Sequence, residues 1–241
     1  MADIRIAGSR RVSTGGNVYE HVSISGSGTI EGTLHCSSIS TAGSGRMSGD
    51  VFCEGKISTA GSCRFDGNIE CDLISIAGSV SIGKNVKCNT MKTAGATRIG
   101  GGIEGKEIKI AGSLEAKGDV SGENVVIAGC STIGGLLNAE NLEIKINGTN
   151  RINEIGCTRL DVHPEPHEQF KIFGKRFGGY VNGKLICKTI EGDELILSFT
   201  EADAVRGKNV KIGPGCEISR VEYSESIEID KNATVKEELK I

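Results

Sequence analysis

The sequence repeats itself every seventeen residues, and that period limits what the chain can fold into. "ISTAGSCRFDGNIECDL" (57–73) runs directly into "ISIAGSVSIGKNVKCNT" (74–90), "MKTAGATRIGGGIEGKE" (91–107), "IKIAGSLEAKGDVSGEN" (108–124) and "VVIAGCSTIGGLLNAEN" (125–141). Upstream lie "VSISGSGTIEGTLHCSS" (22–38) and a copy at 39–56 with one extra residue. Residues 4–21 open the run, and a degraded copy closes it at 159. Nine tandem copies describe a solenoid. One unit cannot bury its own apolar face, whereas stacked units share a continuous core.

Within a copy the apolar positions fall in pairs separated by one residue, the alternation of a half-buried strand. Position one is Ile4, Val22, Ile39, Ile57, Ile74, Met91, Ile108, Val125 and Leu142. Position three alternates Ile with Thr, as in Ile76 and Thr93; position nine includes Ile30, Phe65 and Ile82; position thirteen includes Leu34, Ile69 and Val120. Polar residues such as Arg64 and Glu70 separate the members of each pair. Pairs beginning at positions one, seven and thirteen make three short sides. The fold class is therefore all-β, a single-stranded β-helix of three-sided coils of about seventeen residues, nine coils rising roughly 43 Å at the strand spacing. A column of glycines, Gly8, Gly26, Gly43, Gly61, Gly78, Gly95, Gly112 and Gly129, marks one corner. It requires either positive φ or a close approach of adjacent coils.

Aromatic residues make up only 4% and Trp is absent, as suits a narrow interior filled by Ile, Val, Ala and Cys. A net charge of −3 gives no footprint for nonspecific nucleic-acid binding. Nothing at the start reads as a signal peptide, and no apolar run approaches the ~20 residues of a membrane-spanning helix. Nine cysteines, an odd number and without a secretory signal, fit a reducing cytoplasm better than a disulfide framework.

Four cysteines, Cys36, Cys53, Cys71 and Cys88, share position fifteen on successive coils, where Gly105, Gly122 and Ala139 follow. Small apolar residues fill the column, and the tight local spacing of metal ligands is missing, so the thiols read as packing. Cys63, Cys130, Cys187 and Cys216 show no shared pattern. His163 and His167 are four apart, but Pro164 and Pro166 exclude the helix that would bring them together. His21 and His35 stand alone. Acyltransferases built on hexapeptide coils use a loop histidine; here no loop interrupts 22–141, so an enzyme is not expected. Thr41, Thr59 and Thr93 share a column with inward isoleucines, against an ice-binding face. Arg11, Arg46, Arg64 and Arg98 form a stripe interrupted by Thr29, Ser81 and Glu115, which reads as solvated decoration. No cofactor or metal is expected.

The composition changes near residue 160. The expected division is a nine-coil β-helix over 1–159, a Pro- and aromatic-rich insertion over 160–184, and further β-helical coils over 185–241 that continue or dock on the first. Phe170, Phe173, Phe177 and Tyr180 in the insertion are a candidate partner surface. In the last part Val210 and Ile227, Ile212 and Ile229, Cys216 and Ala233, and Ile218 and Val235 are each seventeen apart.

With its alanine–glycine corners, its seventeen-residue coil and the closing "VRGKNVKIGPGCEISRVEYSESIEI", the chain resembles the bactofilins, polymer-forming cytoskeletal proteins of bacteria. The resemblance spans 4–159 and about 185–238. It implies a right-handed β-helix that polymerises end to end without nucleotide and scaffolds cell-shape, envelope or motility processes. It implies self-association, a paralogous bactofilin as copolymer partner, and a cytoplasmic location at or near the inner face of the membrane. Family members commonly carry disordered, Pro-rich tails, some touching membrane; this chain enters its first strand within a few residues, so direct membrane contact does not follow. Solenoid ends present unpaired strand edges, and a head-to-tail contact between them is open-ended. The candidate polymerisation interface is Ile4, Ile6 and Val12 at one end. Ile227 and Ile229 stand at the other, or Leu142 and Ile144 if the insertion leaves the first rod open. The competing class is a non-polymerising β-helical module that serves as a rigid platform for a protein partner.

Overall fold

The computed structural model describes residues 2–165 and 183–241 and, between them, only the strands Lys171–Ile172 and Lys175–Arg176. Each repeat becomes one turn because its three apolar pairs are three extended sides. In the coil that starts at Val80, the side chains of Val80, Ile82, Val86, Cys88, Met91 and Thr93 are all buried. Lys87 and Lys92, between them, are exposed. The next coil stacks in parallel register: Val80 opposite Thr97, Val86 opposite Ile103, Met91 opposite Ile108. About 13 such turns make a β-solenoid, with no helix among the described residues, its core one continuous column of mostly aliphatic side chains.

The glycine column resolves in favour of close approach. None of its members has a positive φ. Instead, a Cβ built on Gly78 would lie 1.9 Å from the carbonyl oxygen of Gly61, the same corner one coil earlier. The backbone ladder also continues around this corner, with Ala77 N–H donating to Thr59 (2.8 Å) and Ser79 N–H to Gly61 (3.0 Å). Any side chain would push the coils apart and break those bonds. At the second corner a side-chain ladder joins the same close approach, where a Cβ on Gly100 would lie 2.3 Å from the Gly83 carbonyl. Asp50 Oδ1 accepts from the Asn68 amide (2.7 Å), Asn68 Oδ1 from the Asn85 amide (3.3 Å), and Asn85 Oδ1 from the Gly102 amide (2.9 Å). The Asn68 amide holds the Asp50 carboxyl below its ordinary value.

Strand Asn150–Pro164 carries the core to Leu160 and Val162, both buried, so the chain leaves the solenoid only after Pro164. Lys171–Ile172 and Lys175–Arg176 pair antiparallel as a small separate hairpin. Leu185–Leu197 then stacks directly on Asn150–Pro164, with Asn150 opposite Leu185 and Leu160 opposite Leu195. The later seventeen-residue offsets are real neighbours: Val210 faces Ile227, Ile212 faces Ile229 and Ile218 faces Val235. The reading of Cys63 and Cys216 as patternless is corrected. Cys63 pairs with Gly45 and Val80 in the inward column at position seven, and Cys216 continues that same column after Leu185 and Thr200, with Ala233 beyond it. The signal was obscured because this column mixes Gly, Cys, Val, Thr and Leu.

Candidate polymerisation interface

Strands Ala2–Ile6 and Ser9–Ser13 each pair on one side, with Val18–Ile24 and Ser27–Glu31. Among the described residues nothing pairs with their other edge. Ile4 and Ile6 point inward and are buried, at 6% and 2% exposure, while Val12 is half-buried. The first turn is braced from within: Thr14 Oγ1 donates to the Glu31 carbonyl (3.2 Å), and Tyr19 Oη donates to the Thr14 carbonyl (3.3 Å). Gly8 distinguishes this end. A Cβ on Gly26 would meet the Gly8 carbonyl at 2.4 Å, and one on Gly43 the Gly26 carbonyl at 2.1 Å. A Cβ on Gly8 meets nothing within 4 Å. The first coil therefore presents the same corner as the interior coils, with its space unfilled by described residues.

At the other end, Ile227 is half-buried and Ile229 is 41% exposed, each paired below with Val210 and Ile212. The other two sides are covered by strand Thr234–Lys240. Here the inward columns change character. Position thirteen is aliphatic up to Val221, and its next occupant is Glu238; Tyr223 is followed by Lys240. The Tyr223 hydroxyl donates to Glu238 Oε1 (3.1 Å), and Lys240 Nζ lies 6.0 Å from the Tyr223 ring centroid. This end is apolar along two sides, at Ile227 and Ile229 and at Ala233 and Val235, and charged at the third. Leu142 and Ile144 are no end at all: Leu160 and Val162 cover them, and both are buried.

The remaining candidates fall into place as structure. Arg11, Thr29, Arg46, Arg64, Ser81, Arg98 and Glu115 do share one outward column. Arg11 pairs with Glu31 (3.4 Å), Arg46 and Arg64 with Asp66 (2.8 and 2.6 Å), and Arg98 with Glu115 (3.3 Å). Two guanidiniums on one carboxylate hold Asp66 below its ordinary value. Cys36, Cys53, Cys71 and Cys88 stack in register and are buried. All four are free thiols; the neighbouring thiol and burial raise Cys36 and Cys71, and the same neighbour lowers Cys53 and Cys88. Burial alone pushes Cys63 up to about 11. His163 Nε2 meets Glu143 of the preceding coil (3.1 Å) and its Nδ1 donates to the Pro164 carbonyl (3.1 Å), an arrangement that gives both ring nitrogens a partner. Phe170, Phe173, Phe177, Tyr180 and His167 lie outside the described residues.

Residues 1–88 match the family model described as bactofilin, polymer-forming cytoskeletal. The chain is 38% identical over 102 residues to the uncharacterized protein YhbF of Bacillus subtilis, covering 41% of this chain and 40% of that one. It is 44% identical over 57 residues to the uncharacterized protein YhbE of the same organism, 24% of each. The chain thus spans about two fifths and about a quarter of the length of these curated relatives. No solved structure matches it. The family match thus falls on the first turns of the β-solenoid, residues 1–88, which are similar to the bactofilins, described as polymer-forming cytoskeletal.

Proposed function

We propose that the chain is a non-enzymatic cytoskeletal scaffold that joins end to end, without nucleotide, through the ends of its β-solenoid. The observation that carries this reading is Gly8, a corner glycine of the close-approach column with no described residue against it. Beside it run two strand edges without a described partner, a template for a further coil. Charge favours a head-to-tail contact. Residues 2–18 carry three arginines and one aspartate, whereas 217–241 carry seven acidic and four basic side chains. Ile229 and Ile227 supply one apolar side of the second end, and a paralogous bactofilin presenting the same coil would copolymerise. Scaffolding of cell-shape, envelope or motility processes follows from this role.

The test is negative-stain electron microscopy without nucleotide, on the parent chain and on Gly8→Ala and Ile229→Lys. Ile4 and Ile6 are unsuitable probes, because a charge at either is buried in its own coil. Filaments of the parent, lost or shortened in both variants with unchanged circular dichroism, are expected. Filaments unaltered in both variants refute end joining. The second reading, a rigid platform for a protein partner, is favoured by the exposure of Val18 (54%) and Phe52 (39%) on a side of the rod. Parent protein that stays monodisperse at high concentration selects it.

A further inference from the structure

On one side of the rod the outward column at position fourteen begins Val18, His35, Phe52, in register on three successive coils. The His35 and Phe52 rings stack, centroids 4.9 Å apart and 10° from parallel. These apolar groups open onto a groove of about 560 Å³ that also exposes Glu54, Glu70 and Asp72. No Lys or Arg lines it. Charged groups around it are mostly paired, as Asp66 is by two arginines and Glu104 by Lys87. Glu54, Glu70 and Asp72 have no ion-pair partner among the described residues, Asp72 accepting only from Asn89 Nδ2 (2.7 Å). The repeat breaks at this same place. The one extra residue among the regular coils lies in the 54–56 stretch, where pairing skips from Cys53 to Lys56. A Cβ on Gly55 would stand 2.8 Å from the Ser37 carbonyl. A bulge of this kind re-aims the neighbouring side chain, here Glu54.

An apolar, aromatic ledge beside three carboxylates without a close ion pair among the described residues fits a basic segment with aromatic side chains. The chain itself contains one: residues 170–177, Phe-Lys-Ile-Phe-Gly-Lys-Arg-Phe, carry three phenylalanines and three positive charges. From the coil of Asp72 to that of Cys157 is five coil steps, roughly 24 Å at the strand spacing. The chain also leaves the solenoid at a different corner from the groove, between Pro164 and Gly183. We infer that the groove beside Val18, His35 and Phe52 receives the 170–177 segment of a second copy, a lateral contact separate from end joining. Phenylalanine rings extend the His35–Phe52 stack, and Lys171, Lys175 and Arg176 meet Glu54, Glu70 and Asp72.

The test uses a fluorescent synthetic peptide of residues 168–180 titrated with the full chain and read by anisotropy. Saturable binding that weakens with salt is expected, reduced about tenfold or more by Glu54→Lys with Asp72→Lys, and reduced also by Phe52→Ala. All three positions face outward, so circular dichroism should not change. The decisive arm is the exchange of charge: a peptide carrying Lys171→Glu and Lys175→Glu should bind the lysine-substituted groove and not the parent. Absence of saturation below ~1 mM, equal binding to parent and substituted grooves, or failure of the exchanged pair each overturns the assignment. Filaments of the groove variants in the microscope keep this contact distinguishable from end joining.

Discussion

The regular coils from Val22 to Ile146 and the later coils from Leu185 to Ile229 build the same three-sided core by different corners. In the regular coils three residues connect Ile76 to Val80 and three connect Ile82 to Val86. In the first of the later coils two connect Leu197 to Thr200 and two connect Cys187 to Ile190, so the register there falls to fifteen, with Leu185 opposite Thr200 and Leu195 opposite Val210, before Val210 and Ile227 return it to seventeen. Shorter corners keep the backbone extended, and strands lengthen to thirteen residues, as in Leu185–Leu197 and Thr200–Ile212. The glycine that a three-residue corner needs is gone. In its place Phe199 takes φ 50°, the only described residue other than glycine with positive φ, and its ring lies against Gly215. Exposed ion pairs cross these later coils, Arg206 with Glu191 and Glu222, Lys208 with Asp193. A seventeen-residue period is thus one solution to stacking, set by backbone contact at a corner, and a two-residue corner with one strained residue is another.

Substitution at the corner is the strongest way to break that comparison. Gly78→Ala sets a methyl 1.9 Å from a backbone carbonyl that cannot yield, and should cost ~3 kcal/mol or more in urea unfolding. Gly213→Ala, at the three-residue corner between Ile212 and Cys216, meets the movable Ser198 hydroxyl at 2.6 Å and the Leu197 carbonyl only at 2.9 Å, and should cost less. Equal losses would show that both regions stack by the same backbone contact. Buried threonines sharpen the comparison with opposite signs. Thr59 Oγ1 is buried without a hydrogen-bond partner, so Thr59→Val should raise stability by about 1 kcal/mol. Thr200 Oγ1 donates to the Ser198 carbonyl (3.1 Å), so Thr200→Val should lower it by about 1 kcal/mol. Matching thermal melts would test both.

The smallest effect lies where the chain leaves the regular coils. Burial opposes charge on His163, but its bonds to the Pro164 carbonyl and Glu143 carboxylate outweigh it and raise the imidazole above 6.5. A raised folded value means stabilisation that is complete below pH 6.5 and lost as pH rises through that higher value. Both side chains are about one-third exposed, so the contribution should stay under ~1 kcal/mol. A pH series of unfolding curves should therefore slope downward above pH 6.5 in the parent and flatten there in His163→Gln.

What could be read from residues alone is what repeats locally. Alternation with period two named the inward positions, and the spacing of pairs named three sides; Ile30, Leu34, Val51, Ile57, Ile69 and Met91 are all buried as that pattern requires. Residue order also identified Ile4, Ile6 and Val12 as members of the first coil. Their exposure was not legible, because it depends on what lies across a coil boundary. For the same reason only the tertiary structure decided that the corner glycines serve backbone approach and not a left-handed turn, since φ and intercoil distance leave the same residue type. It placed Leu160 over Leu142 and so removed that pair as an end. It also gathered Val18, His35 and Phe52, scattered by seventeen residues each, into one ledge beside three carboxylates. Periodicity is a property of the chain taken one coil at a time; contact between coils is set by the stacking distance, which no single repeat contains.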